Sequence, residues 1–274
     1  MYNPYSLSGK TILVTGASSG IGKATAVECS RLGAKLILVG RNKERLEETF
    51  SQLEGEGHIM RILDLTDVDA LEMFVKELPE IHGCVNNAGI GGKQPIAFIK
   101  REELQHILNT NALAPIYLTQ FLIKKKKMKR GSSMVFTSSI SGVYSVDIGN
   151  AMYSMTKSAI DGFMKNAAIE LAVKGIRVNS VNPGMVDTPI NDIDSFTEEQ
   201  KQYWDSYCKE LTEKRDMEIL KTYQKLSDDF INEVNACDKN LKKLETKKKF
   251  IDLDMGELLD KFAGYYAYWD LIKK

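Results

Sequence analysis

Up to about residue 190 the chain alternates short β-branched, apolar runs with stretches of helical periodicity. Thr11-Ile12-Leu13-Val14 reads as a buried strand, Lys23 to Leu32 as a helix, Lys35-Leu36-Ile37-Leu38-Val39 as a second strand and Lys43 to Leu53 as a second helix. The pattern continues with strands at His58 to Leu63, Gly83-Cys84-Val85, Ser133 to Thr137 and Arg177 to Val181. Helices fall at Asp67 to Glu77, Glu102 to Ile123 and Tyr153 to Ala172. Such punctuation predicts an α/β fold: a doubly wound parallel sheet covered by helices on both faces, with ligands at the carboxyl ends of its strands.

After Pro189 the pattern changes, since no proline follows and the only glycines are Gly256 and Gly264. Long helices are the natural expectation. Apolar or small residues recur at heptad positions, Leu220, Tyr223, Ser227, Phe230, Val234, Cys237, Leu241 and Leu244, which suits either a paired helix or an amphipathic helix packed on its own domain. The sequence therefore divides into a Rossmann-type domain over residues 1–190 and an atypical helical C-terminal segment over residues 191–274, serving as a lid, an oligomerisation element or appended helices.

Composition narrows the function classes. Lys plus Arg and Asp plus Glu balance at 37 each, so no overall field favours nucleic acid or an anionic membrane surface. Cys29, Cys84, Cys208 and Cys237 lack metal-site spacing and read as reduced thiols, which fits a cytoplasmic setting. His58, His82 and His106 are isolated from one another, and no metal site is expected. No run of about 18 apolar residues occurs and residues 1–10 lack a signal-like pattern, so neither a membrane span nor export is expected. Lys124-Lys125-Lys126-Lys127-Met128-Lys129-Arg130 is a basic run read as a solvated helix end, where cations complement the dipole.

The candidate chemistry lies in two places. In Thr15-Gly16-Ala17-Ser18-Ser19-Gly20-Ile21-Gly22 the glycines sit between the first strand and the first helix. There they permit a tight turn and let a pyrophosphate approach the N–H groups of the helix N-terminus. Downstream, Tyr153 and Lys157 stand four apart on one helix face, and a nearby ammonium favours phenolate and so is expected to lower the tyrosine pKa.

These motifs, together with Asn86-Asn87-Ala88-Gly89, Asn111, Ser138-Ser139 and Pro183-Gly184, occur in an order that resembles the classical short-chain dehydrogenases/reductases over roughly residues 8 to 190, nearest the 3-oxoacyl-acyl-carrier-protein-reductase-like members. The resemblance implies a nicotinamide-dependent oxidoreductase in which Tyr153 delivers a proton, Ser139 holds the substrate oxygen, and Lys157 tunes Tyr153 and binds the nicotinamide ribose. Asn111 would connect Lys157 to solvent through a water on its backbone carbonyl. Cofactor contacts would come from Gly16, Ser18, Ser19, Gly20, Ile21, Gly22, Asp64, Leu65, Asn87, Ala88, Gly89, Pro183, Gly184, Val186 and Thr188. Asp64 with Leu65 would sit at the adenine and Asn87 at the nicotinamide-side ribose; Asp64 also reads simply as a turn residue.

Arg41, directly after the second strand, suits the 2′-phosphate of NADP(H), with NAD(H) as the alternative dinucleotide. The expected partners are a small carbonyl or alcohol substrate and further copies of this chain, as a dimer or tetramer. Two departures stand out. Ser139 to Tyr153 is one residue longer than the family spacing, an excess to be absorbed near Tyr144 to Asn150. The family's substrate lid and final strand have no clear counterpart, Phe250 to Gly256 being a degenerate candidate for that strand and Tyr203, Trp204 and Tyr207 candidate cover for a pocket. A different class of function, a cofactor-binding module with a helical tail for self-association or partner contact, is the alternative reading.

Overall fold

The computed structural model describes residues 3–145 and 149–191, with 206, 209, 210 and 213. The chain divides into two units, Met1–Ser195 and Phe196–Lys274. The heptad pattern, the Phe250 to Gly256 strand candidate and the Tyr203, Trp204 and Tyr207 cluster all lie outside the described residues.

Six strands, β1 (Thr11–Thr15), β2 (Lys35–Gly40), β3 (Ile59–Ile62), β4 (Ile81–Asn86), β5 (Met128–Thr137) and β6 (Arg177–Val181), form one sheet in the order β3-β2-β1-β4-β5-β6. Every pairing is parallel. The order reverses at β1, and the crevice between the carboxyl ends of β1 and β4 is where such sheets bind ligands. Helices α1 (Gly20–Arg31) and α2 (Lys43–Ser51) pack with a core containing Val14, Leu36, Leu38 and Leu46. Helices α3 (Val68–Glu77), α5 (Ala114–Lys124) and α6 (Ala151–Ala172) pack with a larger core on the other face, which includes Leu13, Ile37, Leu118, Met134 and Phe136. The near-continuous apolar text of β1 and β2 follows from burial on both faces.

The helix expected over Glu102 to Ile123 is not one element. Helix α4 (Arg101–Leu108) passes into a π-turn at Asn109–Leu113 before α5 begins, and Thr110, Asn111 and Ala112 are all buried there. The basic run ends a helix as expected, with Lys124, Lys126, Lys129 and Arg130 exposed, and it does more. Helix α5 stops at Lys124, and the Lys126 and Lys127 N–H groups bond the carbonyls of Ile123 and Leu122, with Lys126 at φ 55. That is a Schellman stop in which a lysine occupies the left-handed position usually given to glycine. Beyond it, Lys125 pairs with Glu72 at 2.6 Å and Lys129 with Glu80 at 2.9 Å, while Lys127 Nζ donates to the Leu78 carbonyl at 2.5 Å. Much of this lysine run therefore fastens the start of β5 to the end of α3 and the turn after it.

The histidines at strand starts are structural. The Thr11 N–H donates to His82 Nδ1 at 3.0 Å and the Leu36 N–H to His58 Nδ1 at 3.0 Å, satisfying backbone donors where β1 and β2 begin. Cys29 and Cys84 are free thiols, and complete burial pushes Cys84 up to about 12, so it is an inert core residue. Among the described residues no helix is long and apolar enough to cross a membrane.

Candidate active site

The glycine turn joins β1 to α1 under tight steric control. Gly16 and Gly20 adopt φ 65 and φ 52, the left-handed region that favours glycine. A Cβ on Gly22 would lie 2.2 Å from the Gly16 carbonyl oxygen, so only glycine lets the first turn of α1 pack on the loop. Ser19 occupies the N-cap without a side-chain bond, and the first turn of α1 carries no acidic residue, a donor set suited to an anion. These features fit a dinucleotide pyrophosphate. Ser18 and Ile21 are partly buried beside the turn, and the Ser18 side chain approaches Gly40 at the end of β2.

Thr15 and Asn87 tie this turn to the segment after β4. Thr15 Oγ1 accepts from the N–H groups of Asn87 at 3.0 Å and Ala88 at 3.1 Å. The Asn87 side-chain amide donates to the carbonyls of Thr15 and Gly16, each at 3.3 Å. In this structure the Asn87 side chain is thus a strut across the topological switch point. Thr15 opens the turn motif in the sequence but carries no role of its own there, because a threonine ending an apolar strand has an ordinary β-propensity explanation.

Arg41 is exposed at the end of β2, beside Asn42, whose side chain caps α2 by accepting from the Arg45 N–H. Burial pushes the Asp64 carboxyl upward, but this is outweighed by hydrogen bonds from the Thr66 N–H and hydroxyl and by the charges of Arg41 and His106, so the net displacement is downward. The Thr66 bonds, at 2.9 and 2.8 Å, make Asp64 the organiser of the turn after β3. Leu65 is partly buried and packs against the larger core.

Three side chains converge at the carboxyl end of β5. Ser139 is buried, accepts from the Ser141 N–H at 3.1 Å and forms a side-chain hydrogen bond with Tyr153. Lys157, only 4% exposed, donates from Nζ to the Thr137 carbonyl at 2.7 Å and lies 5.4 Å from the centre of the Tyr153 ring. A Cβ on Gly89 would lie 3.5 Å from this Nζ and 3.4 Å from Asn111 Oδ1, placing the post-β4 segment beside both.

The electrostatics correct one expectation. Burial pushes the Tyr153 phenol above its ordinary pKa, and the opposing hydrogen bond from Ser139 does not offset it. The ammonium that was to lower the phenol is turned to the Thr137 carbonyl. Burial also lowers Lys157 itself to about 8.

Asn111 is a staple through its side chain. Its Oδ1 accepts from the Ile90 N–H at 2.8 Å, and its Nδ2 donates to the Ile90 carbonyl at 2.9 Å and to Thr156 Oγ1 at 3.2 Å. The π-turn, the post-β4 segment and α6 are joined through this one amide. Pro183 and Gly184 follow β6, with the Pro183 carbonyl accepting from the Ile140 N–H at 3.1 Å. Val186 is exposed, while Thr188 reaches back to the glycine turn, its Cγ2 lying 3.0 Å from the position of a Gly20 Cβ. Next to the site a cleft of about 400 Å³ is lined by Ile90, Gly91, Gly92, His106, Ile107 and Met152, among others. The sequence reading did not include it.

A parallel doubly wound sheet, a glycine turn at its switch point and a serine, tyrosine and lysine gathered beside it define a Rossmann-fold oxidoreductase. The chain belongs to the short-chain dehydrogenase family, whose model matches residues 10–199. It is 34% identical over 192 residues to the 3-oxoacyl-(acyl-carrier-protein) reductase FabG of Thermotoga maritima, covering 68% of this chain and 78% of that protein. Among solved structures it resembles a 3-ketoacyl-(acyl-carrier-protein) reductase of Brucella melitensis complexed with NADH, at 29% identity and a TM-score of 0.61, over 68% of this chain and 79% of that one. It also resembles a putative NAD(P)-dependent gluconate 5-dehydrogenase of Beutenbergia cavernae with bound NADP, at 29% identity and a TM-score of 0.61, over 68% and 76%.

Proposed function

We propose that this short-chain oxidoreductase interconverts a ketone and a secondary alcohol with NADP(H), using Ser139, Tyr153 and Lys157. The observation that carries the proposal is the meeting of these three polar side chains within one shell at the strand ends, beside a glycine turn suited to pyrophosphate. The nicotinamide, when bound, supplies or accepts the hydride.

Tyr153 and Ser139 hold the carbonyl oxygen between their hydroxyls, and Tyr153 gives its proton to that oxygen as the alcohol forms. A phenol displaced upward keeps its proton at neutral pH, which suits reduction; oxidation needs the phenolate and so gains from alkaline conditions. Lys157, at about 8, is mostly protonated at pH 7 and can return a proton to Tyr153. Arg41 supports NADP(H), because it is an exposed guanidinium directly after β2 and a guanidinium pairs well with a 2′-phosphate. Family habit supports a dimer or tetramer.

The test is purified protein with NADPH or NADH and a panel of acyl, steroid, sugar and quinone carbonyls, followed at 340 nm. Turnover that falls by about 10²-fold or more in Tyr153→Phe is the expected result. Dinucleotide binding without turnover on any carbonyl overturns it in favour of a binding module.

A further inference from the structure

Ser139 belongs to β5 and its following turn, whereas Tyr153 and Lys157 belong to α6, so the reacting geometry depends on how firmly these elements are joined. Two hydroxyls join them, and neither belongs to the proposed chemistry. Ser138, 2% exposed, donates from Oγ to the backbone carbonyl of Lys157 at 3.1 Å. Ser158 donates from Oγ to the carbonyl of Gly142 at 2.7 Å.

The first bond is half of a reciprocal clamp. Lys157 donates its ammonium to the carbonyl of Thr137 at 2.7 Å, and the next residue of the same chain segment returns a bond to the carbonyl of Lys157. Side chain and backbone of one lysine are thereby fixed to two consecutive residues at the end of β5. The second bond seats the turn after Ser139. Gly142 has φ 87, and a Cβ there would stand 2.4 Å from the Ser154 carbonyl, so the turn lies directly on α6. Ser139 is bracketed: pinned to α6 one residue before through Ser138 and three residues after through Gly142.

We propose that Ser138 and Ser158 are positioning residues that set the distance between Ser139 and the Tyr153–Lys157 pair, rather than hydroxyls that merely satisfy nearby carbonyls. The proposal rests on the function proposed above. Misplacing a reacting group by about 1 Å costs up to about 10²-fold in rate. A mobile junction between β5 and α6 therefore shows in turnover before it shows in binding.

The test compares Ser138→Ala, Ser158→Ala and Ser138→Thr with the parent chain, measuring kcat, the KM for carbonyl and dinucleotide, and the thermal midpoint. Each alanine variant is expected to lose roughly tenfold in kcat with both KM values within about threefold, and Ser138→Thr, which keeps the hydroxyl, to recover most of the loss. Alanine variants with kcat within about twofold of the parent overturn the proposal, as does a Ser138→Thr chain as slow as Ser138→Ala. Ser158→Ala gains helix propensity and keeps the test readable if Ser138→Ala does not fold. A parent chain that reduces no carbonyl defeats the proposed function alone. The clamp is then read by acetic anhydride labelling of Lys157 at pH 8, quantified on its peptide. Labelling about fivefold faster in Ser138→Ala supports the clamp, and an unchanged rate overturns it.

Discussion

Replacing Lys157 with methionine should abolish turnover and yet stabilise the fold. Lys157 is buried, and burial lowers its pKa from 10.5 to about 8. The folded protein therefore binds this proton less well than the unfolded chain does. Below pH 8 both states carry it, and the folded state bears the full cost of a desolvated ammonium. A shift of about 2.5 units at about 1.36 kcal/mol each amounts to roughly 3 kcal/mol at pH 7. Methionine keeps the apolar stem and removes the charge. Against this gain stands the lost bond to the Thr137 carbonyl at 2.7 Å, worth about 1.5 kcal/mol for a charged donor.

The net expectation at pH 7 is a gain of about 1 to 2 kcal/mol, or a rise of several degrees in midpoint for a domain of this size. The sign of the pH dependence follows from the same shift. Between about pH 8 and 10.5 the unfolded chain binds more protons than the folded one, so the parent grows more stable with pH while the variant has no such term. The advantage of the variant should shrink and then reverse by about pH 10.5, where only the lost hydrogen bond remains. Thermal unfolding followed by circular dichroism at pH 7, 9 and 10.5 gives the comparison. A variant less stable than the parent at pH 7, or a difference that ignores pH, refutes the reasoning.

Gly22→Ala would drive a Cβ to within 2.2 Å of the Gly16 carbonyl; a loss of at least about 2 kcal/mol and a collapse of NADPH binding, read by fluorescence titration, are expected. Lys126→Gly should relieve the left-handed lysine at the end of α5 and raise stability by about 1 kcal/mol in urea unfolding, with activity unchanged. Arg41→Asp should move the NADPH to NADH ratio of kcat/KM toward NADH by about tenfold or more, and an unchanged ratio would remove Arg41 from cofactor choice.

The sheet was legible because its physics is local. Strands covered on both faces must be apolar, and β1 and β2 fall where Ile12 to Val14 and Leu36 to Val39 announce them. The glycine turn was legible for a related reason, since Gly16 and Gly20 occupy conformations other residues avoid. What escaped was relational. Periodicity does not reveal the π-turn at Asn109–Leu113, because Thr110, Asn111 and Ala112 are buried by neighbours distant in sequence. Nor does the spacing of Tyr153 and Lys157 say that the ammonium turns to the Thr137 carbonyl while burial lifts the phenol. The struts Thr15 and Asn87, and the pins Ser138 and Ser158, are small polar residues whose partners only the fold supplies.

The wide turn at Asn109–Leu113 has a further implication for how this chain tolerates change. It holds one more residue per turn than a regular helix, so deleting a single residue there would give α4 and α5 a smoother common axis. Because the wide turn itself takes up the extra residue, α4 and α5 would keep nearly the same facing, and the change would fall on the backbone path at Thr110, Asn111 and Ala112. A shortened protein would then be the better helix and the worse scaffold, with the amide that now grips Ile90 and Thr156 swung out of their reach.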